Sequence, residues 1–504
     1  MSDIPSQHPG REAAVMSVRG AAVWAMAGQY LAFAIQFVAS VVISRLFLSP
    51  GEVGLFSIAL ATAMIVAVLQ DFGLSRYISG LTVLDRDEIA RCGSVAVLFS
   101  ILIATIVAAT ALPMAATYHQ PQLVTILLII AGSYLFVPMS VVPMALMARA
   151  MQFRGLFAVN VCAALAQGGV AVALAASGYS SFALAWAAVA AAATRGVVAQ
   201  IMRPAWPRRM RFDGIGAVVH FGARASVLYL TGALGTRTPD LIVGKALGIT
   251  AVGLYSRAVS LSDQFRMLIS GAIGSVFYPA FARIRDRGEP LGPAYLRVCA
   301  GYSGVVWPGM AGLALASEPI IRLLYGPAWL RTAPLLAMIA LTEIMLVALP
   351  LVSDLPILAG KLNNLLARNL IDTVMSIVLL AIGCRWGVEG AAGSRLVYAV
   401  FWFALYFRFM HRIVRFDLGG LMMIYLRSGL ASLAAMLPLA LTYTFWAPPT
   451  AITLVQLALA SGAGVVSWLV SLALLRHPVL GEILGLMAGV PVMQRCVPVR
   501  FRAA

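Results

Sequence analysis

Charge is scarce in this sequence, and the residue types that ligate metals or carry catalysis are few and scattered. Only 11% of the 504 residues are charged, whereas about 25% is usual in soluble domains. The five cysteines and five histidines form no CxxC pair and no HExxH motif, so neither a disulfide framework nor a zinc centre is indicated. No GxxxxGK[ST] loop occurs, which disfavours an ATP-driven pump. We therefore expect no cofactor, no metal and no catalytic residue.

Apolar residues make up 61% of the chain and recur in runs of near 20 residues between positions 20 and 475. About 20 apolar residues in a helix cross the roughly 30 Å hydrocarbon core of a bilayer, and no alternating pattern typical of barrel strands occurs. The sequence therefore predicts an all-α polytopic membrane protein with about 14 transmembrane helices. The predicted spans lie near residues 20–45, 53–74, 92–112, 122–147, 156–177, 180–201, 216–246, 250–282, 297–321, 333–358, 364–384, 388–408, 421–446 and 451–475.

The basic residues give the chain a formal charge of +17, which on a soluble protein would suggest a nucleic-acid partner. Here they follow the predicted membrane topology instead, so we expect no nucleic acid. Of the 36 basic residues, 25 lie in one set of connections, five in the alternate set and six inside spans. Because Lys and Arg collect in cytoplasmic loops, this division predicts an even number of spans and two cytoplasmic termini.

One phrase of the sequence is repeated. "VGLFSIAL" at residues 53–60 returns as "VGLYSRAV" at residues 252–259, with five of the eight positions identical. Six predicted spans separate the copies, so both enter the membrane in the same direction. Parallel repeats of this kind build two similar lobes, here of six helices each, and suggest alternating access. The predicted organisation is a cytoplasmic tail at 1–19, an N-lobe at 20–205, a C-lobe at 206–415, two further helices at 416–475 and a cytoplasmic tail at 476–504.

Ionisable residues concentrate in predicted spans 7 and 8. Such groups are costly in a bilayer unless they face a bundle interior or an aqueous cavity. Arg237 and Asp240 are three residues apart, as are Asp263 and Arg266, so each couple could form a structural ion pair in a helix. Pro239 would bend or break the first of these segments. The spacing alone therefore leaves structural and functional roles open.

The arginines of these spans also suit an anionic ligand. Arg257 has no acid within four residues, whereas Arg224 lies near a cytoplasmic end and could snorkel. Guanidinium forks match phosphate oxygens and stay charged at working pH. We predict a cationic cavity for an anionic polar headgroup. The candidate substrate contacts are Arg224, Arg237, Arg257 and Arg266.

Carboxylates in the spans are candidates for orienting the arginines, for gating or for ion coupling. Glu343 is the deepest of the three carboxylates in spans 10 and 11, the others being Asp354 and Asp372, and at that depth it could carry a proton, bind sodium or only hydrogen-bond. The sequence leaves proton or sodium coupling open. The candidates for these roles are Asp71, Asp240, Asp263 and Glu343.

Two segments carry a family resemblance. "PDLIVGKALGITAVGLYSRAVSLSDQFRMLISGAIGSVFYPAFARI" and "RLFLSPGEVGLFSIALATAMIVAVLQDFGLSRYI" resemble the second-lobe and first-lobe signatures of the multidrug/oligosaccharidyl-lipid/polysaccharide flippase superfamily. The chain is most similar to its polysaccharide transporter branch, which includes colanic-acid exporter-like proteins. The resemblance implies a non-enzymatic flippase in the bacterial inner membrane. Its cargo would be an undecaprenyl-diphosphate-linked oligosaccharide repeat unit for lipopolysaccharide or exopolysaccharide. Membrane lipids, a polysaccharide polymerase and other assembly proteins would be its partners.

Three alternatives compete with that interpretation. A membrane polymerase or ligase resembles other such enzymes in having a large periplasmic loop, whereas every outer loop predicted here is short. A multidrug exporter of the same superfamily carries carboxylates in its lobes, but the first predicted span has no acid. A peptidoglycan-precursor exporter stays open, because its cargo shares the lipid diphosphate.

Overall fold

A computed structural model of the chain describes residues 18–67, 74, 77, 78, 85–206, 210, 211, 213, 216–274 and 277–481. The side chains of 18, 19, 21, 22, 86, 217–231 and 269–280 lie outside the described set. Across the described ranges, every regular element is helical. The helices are α1 (Val18–Leu46), α2 (Pro50–Ala67), α3 (Arg86–Tyr118), α4 (Gln122–Tyr134), α5 (Pro138–Arg149), α6 (Phe153–Ala176), α7 (Ser181–Met202), α8 (Gly216–Leu247), α9 (Ile249–Gly274), α10 (Phe277–Asp286), α11 (Leu291–Leu315), α12 (Ser317–Tyr325), α13 (Thr332–Leu346), α14 (Asp354–Leu358), α15 (Leu362–Gly383), α16 (Gly387–Val414), α17 (Leu418–Phe445) and α18 (Leu454–Leu474).

Length and composition identify most of these helices as membrane spans. In the described part of the chain, nine helical stretches are long and apolar enough to cross a bilayer, and the bent pair α4 and α5 makes a tenth. One of the nine, Leu362–Val414, contains both α15 and α16. Helices α8 and α9 have 32 and 26 residues but carry several charges. The prediction of an all-helical membrane protein is confirmed, whereas the count of about 14 spans stays a prediction.

Prolines divide two of the predicted spans. Helix α4 ends at Tyr134, four residues before Pro138, and α13 ends at Leu346, four residues before Pro350. A proline lacks the backbone N–H and its ring clashes with the carbonyl four residues earlier, so each break lies where a helix would be disrupted. The first break bends the chain by 45°.

Capping side chains define several helix ends. The Asp85 carboxylate accepts a hydrogen bond from the Glu88 N–H at 2.6 Å at the start of α3. Asp417 caps α17 in the same way, and Thr453 with Gln456 forms a capping box at the start of α18. Each cap satisfies backbone N–H groups that have no partner within the helix.

The chain divides into two compact units. The first unit comprises Met1–Leu48 and Ala59–Ala233, and the second comprises Ser49–Ile58 and Leu234–Ala504. The first ten residues of this second unit include the start of α2 and most of the phrase "VGLFSIAL". The compact division falls inside α8, whereas the sequence places a lobe boundary at residue 206. The lobe assignment stays a prediction.

Within the second unit, the two copies of the repeated phrase contact each other. Gly54 and Gly253 occupy equivalent positions in the copies, and each faces the backbone at the start of the other helix. A Cβ at Gly54 would overlap the Ile249 carbonyl oxygen, and a Cβ at Gly253 would overlap the Pro50 carbonyl oxygen. Only glycine permits this approach of α2 and α9, as is common where small residues let membrane helices cross closely.

A second pair of equivalent residues extends this crossing. The Ser57 and Ser256 hydroxyl oxygens lie 3.0 Å apart in a hydrogen bond. The identical residues of the repeat therefore pair with their own counterparts. The residues shared by the two copies form the contact between α2 and α9. The charged segment of α9 follows this contact along the helix.

A buried polar chain ties the end of α18 to the interior of the second unit. The Val479 N–H donates to His477 Nδ1 at 3.2 Å, so the neutral ring carries its proton on Nε2. That nitrogen lies 2.9 Å from Ser428 Oγ, which lies 2.8 Å from Ser303 Oγ. Ser303 in turn donates to the Cys299 carbonyl oxygen at 2.7 Å. The chain joins α11, α17 and the segment after α18.

Candidate functional site

An arginine held between two carboxylates forms the centre of the charged region in the second unit. Arg266 of α9 donates from Nη2 to Asp263 Oδ1 at 3.1 Å, and Arg266 Nε lies 2.9 Å from Glu343 Oε2 of α13. The side chains are 33%, 48% and 12% exposed for Arg266, Asp263 and Glu343, respectively. The predicted pair of Asp263 and Arg266 is thus present, and Glu343 joins it from another helix.

This triad can exist inside the second unit because its charges are paired: Asp263 is hydrogen-bonded to Arg266, and Glu343 forms an ion pair with it. Burying an unpaired charge costs several kcal/mol of desolvation, and a close partner of opposite charge offsets much of that cost. Asp263 is three residues before Arg266, so the helix itself brings them onto one face. Glu343 is brought there by the packing of α13 against α9. The arrangement therefore depends on tertiary structure as well as on local spacing.

Arg395 of α16 is a further cation beside the triad. Its Nη1 donates to Ser376 Oγ at 3.3 Å, and its guanidinium carbon lies 5.1 Å from the centre of the Tyr398 ring. Its charge also acts on Glu343 and Asp263. No local spacing in the sequence connects Arg395 with these partners, so this contact is visible only in the structure.

The interface between α15 and α16 continues this polar region. The Tyr398 hydroxyl hydrogen-bonds to Asp372, and the Tyr406 hydroxyl donates to Asn369 Oδ1 at 2.7 Å. Asn369 and Asp372 are three residues apart on α15, so both face α16. The sequence offered a signal here in the form of Asp372, a carboxylate inside a predicted span.

Arg257 packs on aromatic rings. Its guanidinium carbon lies 5.2 Å from the centre of the Tyr325 ring and 5.4 Å from that of Trp329. The charge of Arg257 also acts on the Tyr325 hydroxyl. Both aromatic side chains are buried, and a cation over such a ring gains about 0.5–2 kcal/mol. This contact explains how the position that is Ile58 in the first copy tolerates an arginine in the second.

Of the other predicted site residues, Arg237 and Asp240 have described side chains, whereas Arg224 and Asp71 do not. Arg237 and Asp240 are half-buried on α8, and the charge of Arg237 acts on the Asp240 carboxyl. The helix continues through Pro239, so the two residues keep their helical spacing. The backbone of Arg224 is in α8, but its side chain lies outside the described set, and Asp71 lies outside the described residues.

Positive and negative side chains both occur in this region. The described side chains discussed above include four arginines and four carboxylates. These are Arg237, Arg257, Arg266, Arg395, Asp240, Asp263, Glu343 and Asp372. An anion that enters the region must therefore compete with carboxylates of the chain for the guanidinium groups. No group of three or more His, Cys, Asp or Glu side chains that could hold a metal occurs among the described residues.

These features define a multi-pass helical membrane protein with paired charges inside its second unit. A family model described as "Polysaccharide biosynthesis protein" matches residues 42–334, which is more than half of the chain. The chain belongs to this family. The matched segment contains both copies of the repeated phrase, as well as Arg257 and Arg266. Glu343 and Arg395 lie beyond it.

Curated relatives share part of their length with this chain. It is 23% identical to the lipopolysaccharide biosynthesis protein WzxC of Escherichia coli (strain K12) over 35% of the chain and 36% of WzxC. It is also 23% identical to the succinoglycan biosynthesis transport protein ExoT of Rhizobium meliloti (strain 1021), over 64% of the chain and 65% of ExoT. The chain thus matches between about one third and two thirds of the length of these relatives.

A solved structure shares the fold over almost the whole chain. The lipid II flippase MurJ in an inward closed conformation superposes with a TM-score of 0.68, covering 90% of this chain and 98% of MurJ. The two sequences are 12% identical, so the likeness concerns the fold alone. It agrees with the predicted all-helical membrane fold.

Proposed function

We propose that the protein moves an undecaprenyl-diphosphate-linked oligosaccharide repeat unit across the bacterial inner membrane for the assembly of a surface polysaccharide. The observation that carries this proposal is the Arg266 cluster inside membrane helices of a polysaccharide biosynthesis protein. A diphosphate and its sugars do not cross hydrocarbon readily, so their passage needs polar groups at membrane depth. The relatives support the proposal because one is named a transport protein and another a lipopolysaccharide biosynthesis protein.

The arginines are the proposed contacts of the diphosphate. A guanidinium can hold two phosphate oxygens at once and stays charged throughout. Arg266 is the primary contact, and Arg224, Arg237 and Arg257 are further candidates. The candidates for orienting these groups, for gating or for coupling are Asp71, Asp240, Asp263 and Glu343.

The proposed orientation follows the basic residues. With both termini in the cytoplasm, the richer set of Lys and Arg faces the cytoplasmic side. The cargo would then bind from the cytoplasmic face and leave on the periplasmic face, where a polysaccharide polymerase and other assembly proteins receive it. A proton or sodium gradient is the proposed driving force if the step is coupled to an ion.

The direct test is a deletion strain of the source bacterium, analysed by mass spectrometry of its lipid-linked oligosaccharides. We expect single repeat units to accumulate on the undecaprenyl carrier, on the cytoplasmic face, with surface polysaccharide lost. Accumulation of a lipid-linked peptidoglycan precursor would instead identify the protein as a peptidoglycan-precursor exporter. Loss of surface polysaccharide with single repeat units exposed to the periplasm would identify it as a polymerase. Unchanged lipid-linked oligosaccharides would contradict the proposal.

A further inference from the structure

The guanidinium of Arg266 is divided between two acids. Bidentate recognition of a phosphate uses two adjacent N–H groups of one guanidinium edge. In the structure, Nε faces Glu343 at 2.9 Å and Nη2 faces Asp263 at 3.1 Å. A carboxylate oxygen therefore lies against each nitrogen of this edge: Asp263 accepts a hydrogen bond from Nη2, and Glu343 forms a close ion pair with Nε. A phosphate that uses this edge must displace at least one of them.

The two carboxylates differ in what their release would cost. Glu343 is only 12% exposed, so its departure would leave a buried charge without its closest partner, at a cost of several kcal/mol. Asp263 is 48% exposed, and a charged group this accessible at membrane depth faces water and not lipid. Exposed ion pairs contribute at most about 1 kcal/mol. Asp263 is therefore the acid that yields.

We infer that Asp263 is a built-in stand-in anion, which occupies Arg266 until the diphosphate of the cargo replaces it. This inference rests on the proposed function and assigns a role to each acid of the same site. Glu343 is a positioning residue that holds Arg266 from the buried side, and it stays in place during the exchange. One phosphate oxygen of the diphosphate takes the position of Asp263 at Nη2, and the Asp263 side chain rotates toward water.

The exchange keeps an anion against the Nη2 side of Arg266 in both states. An uncompensated arginine at this depth would be costly whenever no cargo is bound. With Asp263 in place, the charge of Arg266 is paired in the empty protein as well as in the loaded one. The same pairing weakens binding, since the cargo gains only the difference between its own contact and that of Asp263. Release of the cargo is favoured for the same reason.

The test measures binding by the full-length protein, purified and placed in nanodiscs. The probes are farnesyl diphosphate, inorganic pyrophosphate and farnesol as the uncharged comparator. Asp263→Asn removes the stand-in anion, whereas Asp263→Glu keeps it. Glu343→Asp keeps the charge but shortens the side chain that reaches Nε. Glu318→Gln is the matched control, because Glu318 pairs with Arg322 four residues later in the same unit.

We expect Asp263→Asn to bind both diphosphates about two- to fivefold more tightly than the unaltered protein, which corresponds to the loss of one exposed competing pair. Glu318→Gln should bind them as the unaltered protein does. Asp263→Glu, which keeps the competing charge, should gain less than Asp263→Asn, and Glu343→Asp should lose affinity. Farnesol binding should not change. If Asp263→Asn does not yield monodisperse protein, Asp263→Ser serves the same purpose.

Unchanged or weaker diphosphate binding by the Asp263→Asn protein would overturn the inference, because a residue that only positions Arg266 would give that result. A gain with inorganic pyrophosphate but not with farnesyl diphosphate would overturn the assignment to a lipid headgroup. Failure of the proposed function has a different signature. In that case the unaltered protein would bind neither diphosphate, and Arg266→Ala would leave export intact.

Discussion

The crossing of α2 and α9 gives a stability prediction that follows from backbone geometry. A Cβ introduced by Gly253→Ala would overlap the Pro50 carbonyl oxygen and would lie 2.7 Å from the Pro50 carbonyl carbon. Both are backbone atoms, so no side-chain rotation relieves the overlap, and the helices must separate. Overpacking of this kind costs about 1–3 kcal/mol, against a gain in helix propensity of at most about 1 kcal/mol from replacing glycine. We expect net destabilisation of about 1–2 kcal/mol.

A matched control exists in α17. A Cβ at Gly429 would meet no atom within 4 Å, so Gly429→Ala should be neutral or slightly stabilising. The assay is the temperature at which half of the detergent-purified protein remains monodisperse after brief heating, and we expect a decrease of a few degrees for Gly253→Ala. Equal heat resistance of the Gly253→Ala and Gly429→Ala proteins would refute the reasoning.

The reciprocal contact also predicts how two substitutions combine. Gly54→Ala should cost about as much as Gly253→Ala, because its Cβ would overlap the Ile249 carbonyl oxygen. Once the helices have separated for one Cβ, the second requires less further movement. The double variant should therefore lose less stability than the two single variants together, since neighbouring sites are not additive. Strict additivity would show that the two contacts are independent.

Three further predictions concern other contacts of the second unit. Ser57→Cys combined with Ser256→Cys should form a disulfide on mild oxidation, because the native hydroxyl oxygens are 3.0 Å apart. After cleavage at a protease site inserted between the two positions, the fragments should stay joined in the absence of reductant. Separation of the fragments under these conditions would contradict the crossing of α2 and α9. Burial lowers the pKa of His477 to about 4, so between about pH 6.5 and pH 4 the unfolded chain binds more protons than the folded chain. Heat resistance should therefore decrease as the pH is lowered through that window. His477→Gln should reduce this pH dependence, and an unchanged profile would contradict the prediction. Tyr325→Phe should cost little stability, because it removes only the hydroxyl and keeps the ring under the Arg257 guanidinium. A loss as large as that of Trp329→Ala in the same heating assay would be inconsistent with it.

The sequence predicts the helices well because apolar run length is a local property. Every predicted span coincides with one or two helices of the structure, apart from stretches outside the described residues. The breaks before Pro138 and Pro350 were not predicted. Other prolines, such as Pro308 and Pro438, lie inside continuous helices. Whether a proline breaks a helix depends on the packing around it, which a local sequence pattern does not contain.

The candidate site was predictable only in its local part. The couple of Asp263 and Arg266 follows from spacing on one helix. The contacts of Arg266 with Glu343, and of Arg257 with Trp329, join distant segments, so no local pattern reveals them. The repeat was recognisable in the sequence, but the mutual contact of Gly54 and Gly253 was not.

Arg266 gives the most direct test of the central claim that the charged cluster of the second unit handles an anionic lipid-linked headgroup. The measurement compares strains that carry Arg266→Ala or the control Glu318→Gln in place of the unaltered gene, at matched amounts of protein in the membrane. We predict that Arg266→Ala traps single lipid-linked repeat units and abolishes surface polysaccharide, whereas Glu318→Gln exports normally. Normal surface polysaccharide with no trapped repeat units in the Arg266→Ala strain would contradict the claim.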